Sequence, residues 1–293
     1  MLVSDFLQFA LNGVVTGCFY ALTALGLSLV FGLMNIVNFA HGAFFVLGGM
    51  LASLATERLG LPLWAAIPAV LMVMWGVGAV IEAGLLARMR DAHILPVTLV
   101  TIGLSVFLVN TMLMLFGTEP KNVRTGLEGP PVFLGDVIIS QSRILAIGIS
   151  VLAIIATWLL ISRTRAGRAM RAVFQQPEAA ALAGIPIARV HRFTFALGTT
   201  LAGLAGILLG AVFVVDPSRA EPAAVKAFVV IILGGIGSLP GAVLGGILLG
   251  LAESLWGGFV STGYMDAVGF VLVIAILLFR PSGLLGAPAS RVG

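Results

Sequence analysis

Residues 6–56 read FLQFALNGVVTGCFYALTALGLSLVFGLMNIVNFAHGAFFVLGGMLASLAT. With His41 neutral, none of these 51 residues carries a charge. As helix, at ~1.5 Å per residue, the stretch would run ~75 Å, about two and a half hydrocarbon thicknesses. A water-soluble core has no use for such a segment, so the chain is expected to be an integral membrane protein. No basic region precedes the run, which is also too long for the apolar part of a signal peptide, so a cleaved leader is not expected.

The remaining sequence extends this reading. Of the 293 residues, 60% are hydrophobic and 10% charged, and the mean hydropathy is +1.15. The other charge-free runs are apolar on every side, without the alternation of barrel strands. Backbone polar groups must be satisfied inside each segment, which leaves helices. The expected class is all-α and polytopic, one transmembrane domain over 1–293. Crossings are expected at 7–31, 36–56, 62–87, 93–117, 143–162, 192–215, 238–258 and 262–280. A broken or re-entrant helix at 223–236 makes the count eight to nine.

Arginine placement gives orientation. Arg88 and Arg90 follow the third crossing, and residues 163–192 carry six of the fourteen arginines, so both links are expected to be cytoplasmic. Loop 118–142 balances Lys121 and Arg124 against Glu119, Glu128 and Asp136, and is expected outside. The basic pI of 10.0 therefore reports topology, and no nucleic-acid partner is expected. Cys18 is the single cysteine, so no intrachain disulfide is possible.

Two glycine-rich stretches, LGGMLASLA (47–55) and LGGILLGLA (244–252), match at six of nine positions. Each follows an interrupted segment, NIVNFAHGA or GGIGSLPGA. Paired interruptions mark substrate paths in transporters; close helix packing through small residues accounts for the glycines equally well.

No catalytic or metal-binding set is visible. No G-x-x-x-x-G-K-[ST] loop occurs, and His41, His93 and His191 lack ligand spacing. Few ionisable residues fall at or near membrane depth: Glu57, Glu82, Lys226, Glu253 and Asp266. Glu82 reads either as a proton relay or as an arginine-paired structural carboxylate. In MNIVNFAHG, Asn35, Asn38 and His41 fall three apart and would share a helix face. Uncompensated amides and an imidazole in a charge-free region are costly. They, with Gly42, read as candidates for a substrate path or as a hydrogen-bonded turn between crossings.

The insert 163–192 is long enough to hold short helices of its own. Pro177 suits a helix N1 position, Glu178 its first turn, and Gly184 and Pro186 its end. Its alanine and leucine face suggests a docking element rather than only a positive-inside loop.

These residues carry a resemblance. Glu178, Ala179, Ala180 and Gly184 match the first part of the EAA loop of ABC-importer permeases. The downstream Ile-x-Leu-Pro is absent, with Thr194 at the Ile position. From GLSLVFGLMNIVNFAHGA through TRAGRAMRAV and AALAGI to KAFVVIILGGIGSLPGAVLGG and FRPSGLLG, the chain resembles the branched-chain amino acid permease family, its LivH-like half. The resemblance implies an inner-membrane subunit for branched-chain or other hydrophobic amino acids. It implies a second related permease, two cytoplasmic ATPase subunits that bind ATP and Mg, and a periplasmic solute-binding protein. This chain itself would be no enzyme and would hold no cofactor. Residues 178–184, Leu182 among them, would be the ATPase-coupling element. A urea or short-amide permease of the same family is the alternative substrate reading. A stand-alone secondary transporter is the alternative class.

Overall fold

The computed structural model describes residues 2–90, 92–127 and 129–286, and within them the chain is built from helices. They are α1 (Leu2–Met34), α2 (His41–Ser53), α3 (Leu63–Gly84), α4 (Ile94–Phe116), α5 (Gln141–Arg163) and α6 (Arg165–Gln175). Then come α7 (Pro177–Leu182), α8 (Ile187–Val212), α9 (Ala220–Gly234), α10 (Leu239–Phe259) and α11 (Met265–Phe279). α2 runs on through a π-helical segment, Leu54–Arg58. Seven of the helices are long and apolar enough to cross a membrane. The chain is an all-α, multi-pass membrane protein.

Two departures from the sequence reading matter. The expected crossing at 36–56 begins only at His41, because 35–40 is not helical. α2, with 13 residues, and α9, with 15, are not among the seven spanning helices. Within loop 118–142 a two-stranded hairpin also forms, β1 (Val132–Leu134) pairing antiparallel with β2 (Val137–Ile139). It is tied to the start of α1, where the Gln8 side chain accepts from Ile138 N at 2.9 Å and donates to Ile138 O at 3.1 Å.

α1 and α8 form the buried centre and run antiparallel, with Phe19 against Phe213 and Gly26 against Gly198. Around them α3, α4, α5 and α11 turn apolar side chains outward, such as Met72, Leu99, Leu152 and Leu278. In water such faces would be costly; in hydrocarbon they need no partner.

The helices repeat in two inverted sets, α1–α4 and α8–α11. α1 packs antiparallel on α10, and α8 packs antiparallel on α3. α2 packs alongside α8, α9 alongside α1, and each set closes with its fourth helix on its second. The turn chemistry repeats too. Asn38 Oδ1 accepts from Ala40 N at 3.1 Å, and Asp216 Oδ1 accepts from Ser218 N at 3.0 Å.

The LGG match misplaces this repeat. LGGMLASLA lies on α2, whose counterpart is α9, whereas LGGILLGLA lies on α10, whose counterpart is α3. Those glycines serve helix approach. A Cβ at Gly246 would stand 2.5 Å from Ala21 N of α1, and Gly48 abuts the Gly203 backbone of α8.

Candidate functional site

The site begins with two helix breaks. α1 stops at Asn35, whose φ of 52° is the left-handed conformation that asparagine tolerates as a C-terminal stop. Its N–H still reaches Phe31 O at 2.8 Å. The chain then doubles back. Thr101 Oγ1 of α4 donates to Val37 O at 2.9 Å and accepts from Phe39 N at 3.2 Å, which satisfies backbone groups away from water. Asn38, 1% exposed, caps the turn into α2. His41, fully buried, places Nε2 2.8 Å from Thr23 O. Thr23 lies eleven residues before the end of α1, so α2 starts ~16 Å inside the bundle.

The second break inverts the first. After α8, Val215 exchanges backbone hydrogen bonds with Lys121 at 2.8 and 2.9 Å. The chain then turns inward through Asp216 and a 3-10 turn, Pro217–Arg219, to start α9 at Ala220. Gly42 lies against the Ala220 carbonyl so closely that any Cβ there would overlap it. Two short helices therefore meet N-terminus to N-terminus, and their positive dipole ends share one region inside the bundle.

Asn35, Asn38, His41 and Gly42 are thus brought together, but not as one helix face. Asn35 stops a helix, Asn38 caps a turn, His41 ties α2 to α1, and Gly42 permits the close approach. Of these Asn35 is exposed, and further exposed polar groups come from the second break: Ser218, Arg219 and Glu221. Phe39 of the first break meets Phe228 of α9 at 5.1 Å between ring centroids. Arg219 Nε pairs with Asp216 Oδ2 at 3.0 Å, and Glu221 makes no ion pair among the described residues.

Two charge clusters flank the breaks. Glu82 on α3, fully buried, pairs with Arg90 and with Arg192 Nε of α8 at 3.6 Å. This is the arginine-paired arrangement of the two readings. Glu253 on α10 takes Lys226 Nζ on both oxygens at 2.7 Å and the Tyr20 hydroxyl of α1 at 2.8 Å. Lys226 also reaches Asp266 Oδ1 of α11 at 2.8 Å. In each set the third helix supplies a buried glutamate that reaches the first helix of the other set, Glu82 as an ion pair with Arg192 of α8 and Glu253 as the acceptor of the Tyr20 hydroxyl of α1.

The model of the family described as branched-chain amino acid transport system, permease component, matches residues 9–277. The chain belongs to that family. It is 36% identical over 299 residues to the high-affinity branched-chain amino acid transport system permease protein BraD of Pseudomonas aeruginosa, covering 98% of this chain and 97% of BraD. It is 34% identical over 302 residues to the permease protein LivH of Escherichia coli K12, covering 97% and 96%. Among solved structures, a chain of PsaBC from Streptococcus pneumoniae, in complex with a Fab, superposes with a TM-score of 0.51 at 13% identity, covering 100% of this chain and 98% of that one. That likeness concerns the fold.

In this family member the insert forms α6 and α7. Thr164 Oγ1 caps α6 by accepting from Gly167 N at 3.0 Å. Met170 and Val173 face inward, while Arg165, Arg168 and Arg171 face out. α7 has Pro177 at its start, Glu178 exposed in its first turn, and Gly184 at φ 81° after its end. Ala180 is only 4% exposed and packs on its own chain, so the outward face is Glu178, Ala179, Ala181 and Leu182, the last 91% exposed.

Sequence reasoning missed Ser218, Arg219 and Glu221 as site residues. The signal was present: DPSRAEPAAVK (216–226) packs four charges into a span between apolar runs.

Proposed function

We propose that this chain is a permease subunit of an ABC importer that carries branched-chain or other hydrophobic amino acids across a bacterial inner membrane, along the face where α2 and α9 meet. One observation carries the path. Ser218, Arg219 and Glu221 are exposed beside helix ends that lie inside the bundle, and such groups are costly against lipid. A face of this kind needs water, solute or another protein. Asn35, Asn38, His41 and Gly42 border the path by building its break.

In this account the 163–192 insert is cytoplasmic and the 118–142 hairpin loop periplasmic. The tail shares the insert's side: Leu284 N and Leu285 N bond Leu233 O and Gly234 O at 3.0 and 2.9 Å, near Gly237, on which Phe174 of the insert packs. The chain works with a second related permease, two ATPase subunits that hold ATP and Mg, and a periplasmic binding protein. Glu178, Ala179, Ala180, Leu182 and Gly184 form the coupling element, with Ala180 anchoring α7 and Leu182 meeting the ATPase. ATP-driven motion there biases inward- against outward-facing states.

The test is uptake by the reconstituted importer, supplied with its binding protein, of labelled leucine against labelled urea. ATP-dependent leucine uptake without urea uptake supports the reading. Urea uptake without leucine uptake refutes the substrate, and uptake driven by an ion gradient without ATP refutes the class.

A further inference from the structure

Beside the break, α9, α10 and α11 enclose a cleft of about 310 Å³. Its apolar wall comprises Val225, Val229, Leu249 and Phe270, and its charged groups are Glu221, Lys226, Glu253 and Asp266. A small volume, an apolar wall and a few convergent polar groups are the usual composition of a small-molecule site.

The charges do not balance. Lys226 is a single ammonium, its side chain 19% exposed, facing three carboxylates. Glu253, 4% exposed on its side chain, holds it with both oxygens and is in turn held by Tyr20. Asp266, 79% exposed on its side chain, also bonds Lys226, and Glu221 has no ion-pair partner among the described residues. Exposed ion pairs add little net stability, so the Asp266 contact is the one that can yield.

We propose that this cleft binds the transported solute itself, as the zwitterion of an aliphatic α-amino acid. The assignment rests on the amino-acid importer reading above. The solute carboxylate replaces Asp266 on Lys226 Nζ, and the freed Asp266, with Glu221, receives the solute ammonium. Each charge that is separated is paired again, so binding leaves no new unpaired ion inside the bundle. Val225, Val229, Leu249 and Phe270 cover the aliphatic side chain. Glu253 and Tyr20 stay in place as the support that aims Lys226.

The test uses the assembled importer in lipid nanodiscs with Cys18→Ala and Val225→Cys, read by the reaction rate of a hydrophilic thiol reagent. Leucine at ~10 times its dissociation constant should slow the reaction about tenfold, since the free fraction falls as 1/(1 + [L]/Kd). 4-Methylpentanoate, which is leucine without the ammonium, and isoamylamine, which lacks the carboxylate, should leave the rate unchanged at that concentration. Asp266→Asn should weaken protection by leucine while the cysteine still reacts. Phe270→Cys reports from the opposite wall should Val225→Cys fail to assemble. An unchanged rate with leucine, in a complex that still imports leucine, overturns the cleft assignment and leaves the importer reading intact. A cysteine inert with and without leucine means a neighbouring subunit seals the cleft, which also overturns it. A parent complex that imports no leucine overturns the importer reading, and the cleft assignment with it.

Discussion

Gly26 of α1 and Gly198 of α8 meet reciprocally: a Cβ on Gly26 would stand 2.7 Å from Gly198 O, and one on Gly198 would stand 2.8 Å from Gly26 O. The two first helices of the inverted sets cross at this contact. Neither tolerates a side chain, because the obstacle is the other helix's backbone.

Gly198→Val should therefore destabilise the subunit by ~1–3 kcal/mol through overpacking. Gly76 on α3 has open space around its Cβ position, so Gly76→Ala should be neutral or slightly stabilising. Thermal unfolding of the purified subunit in detergent compares the two. Equal midpoints would contradict the crossing.

The Lys226–Glu253 pair gives a second expectation. Lys226→Met leaves the buried Glu253 carboxylate with Tyr20 alone and should cost ~3–5 kcal/mol, the scale for an orphaned buried charge. Lys226→Met combined with Glu253→Gln removes both charges and should recover most of that loss. Unfolding midpoints of the single and double variants decide it; an additive double variant would mean that the two residues do not act as a pair.

Leu182 offers a test of coupling that spares the subunit's own packing. It is 91% exposed, so Leu182→Asp should leave the unfolding midpoint unchanged and reduce co-purification of the ATPase subunits or uptake per ATP hydrolysed. Gly184→Val should act similarly, here by straining a φ of 81°, at ~1–3 kcal/mol. Full coupling in both variants would make α7 a surface loop.

Sidedness is checked with Cys18→Ala and single cysteines in intact cells. Leu127→Cys in the hairpin loop should react with a membrane-impermeant reagent added outside, and Leu182→Cys only after the membrane is opened. The reverse pattern would invert the topology.

The long helices were legible in the sequence because lipid asks only for apolar length, and 63–84, 94–116 and 141–163 supply it without interruption. The break at 35–40 was legible only as an interruption, with a turn between crossings as one of two readings, since both flanks are equally apolar and the three-residue spacing of Asn35, Asn38 and His41 imitates a helix face. Turn chemistry was the better guide there: Asn35 adopts φ 52° and Asn38 caps the next turn. The inverted repeat left almost no trace, because it is preserved by backbone approach at glycines such as Gly26 and Gly198, and such contacts fix no residue pattern along a helix that is apolar all round. In the insert the start of a short helix at Pro177 and its stop by Gly184 were legible, and α7 spans Pro177–Leu182, while the inward turn of Ala180 depends on packing that no local signal shows.

The central claim is that the face at the α2–α9 junction borders an aqueous path and not lipid. The most direct measurement is the reactivity of Ser218→Cys, in the Cys18→Ala background of the assembled importer, toward a charged thiol reagent, with and without ATP. Ser218 is exposed, and it lies two residues before α9 begins inside the bundle. The account predicts reaction with the charged reagent at a rate that changes when ATP shifts the importer between its states. A cysteine that reacts only with a lipid-soluble reagent, at a rate indifferent to ATP, would place this face against the bilayer and contradict the account.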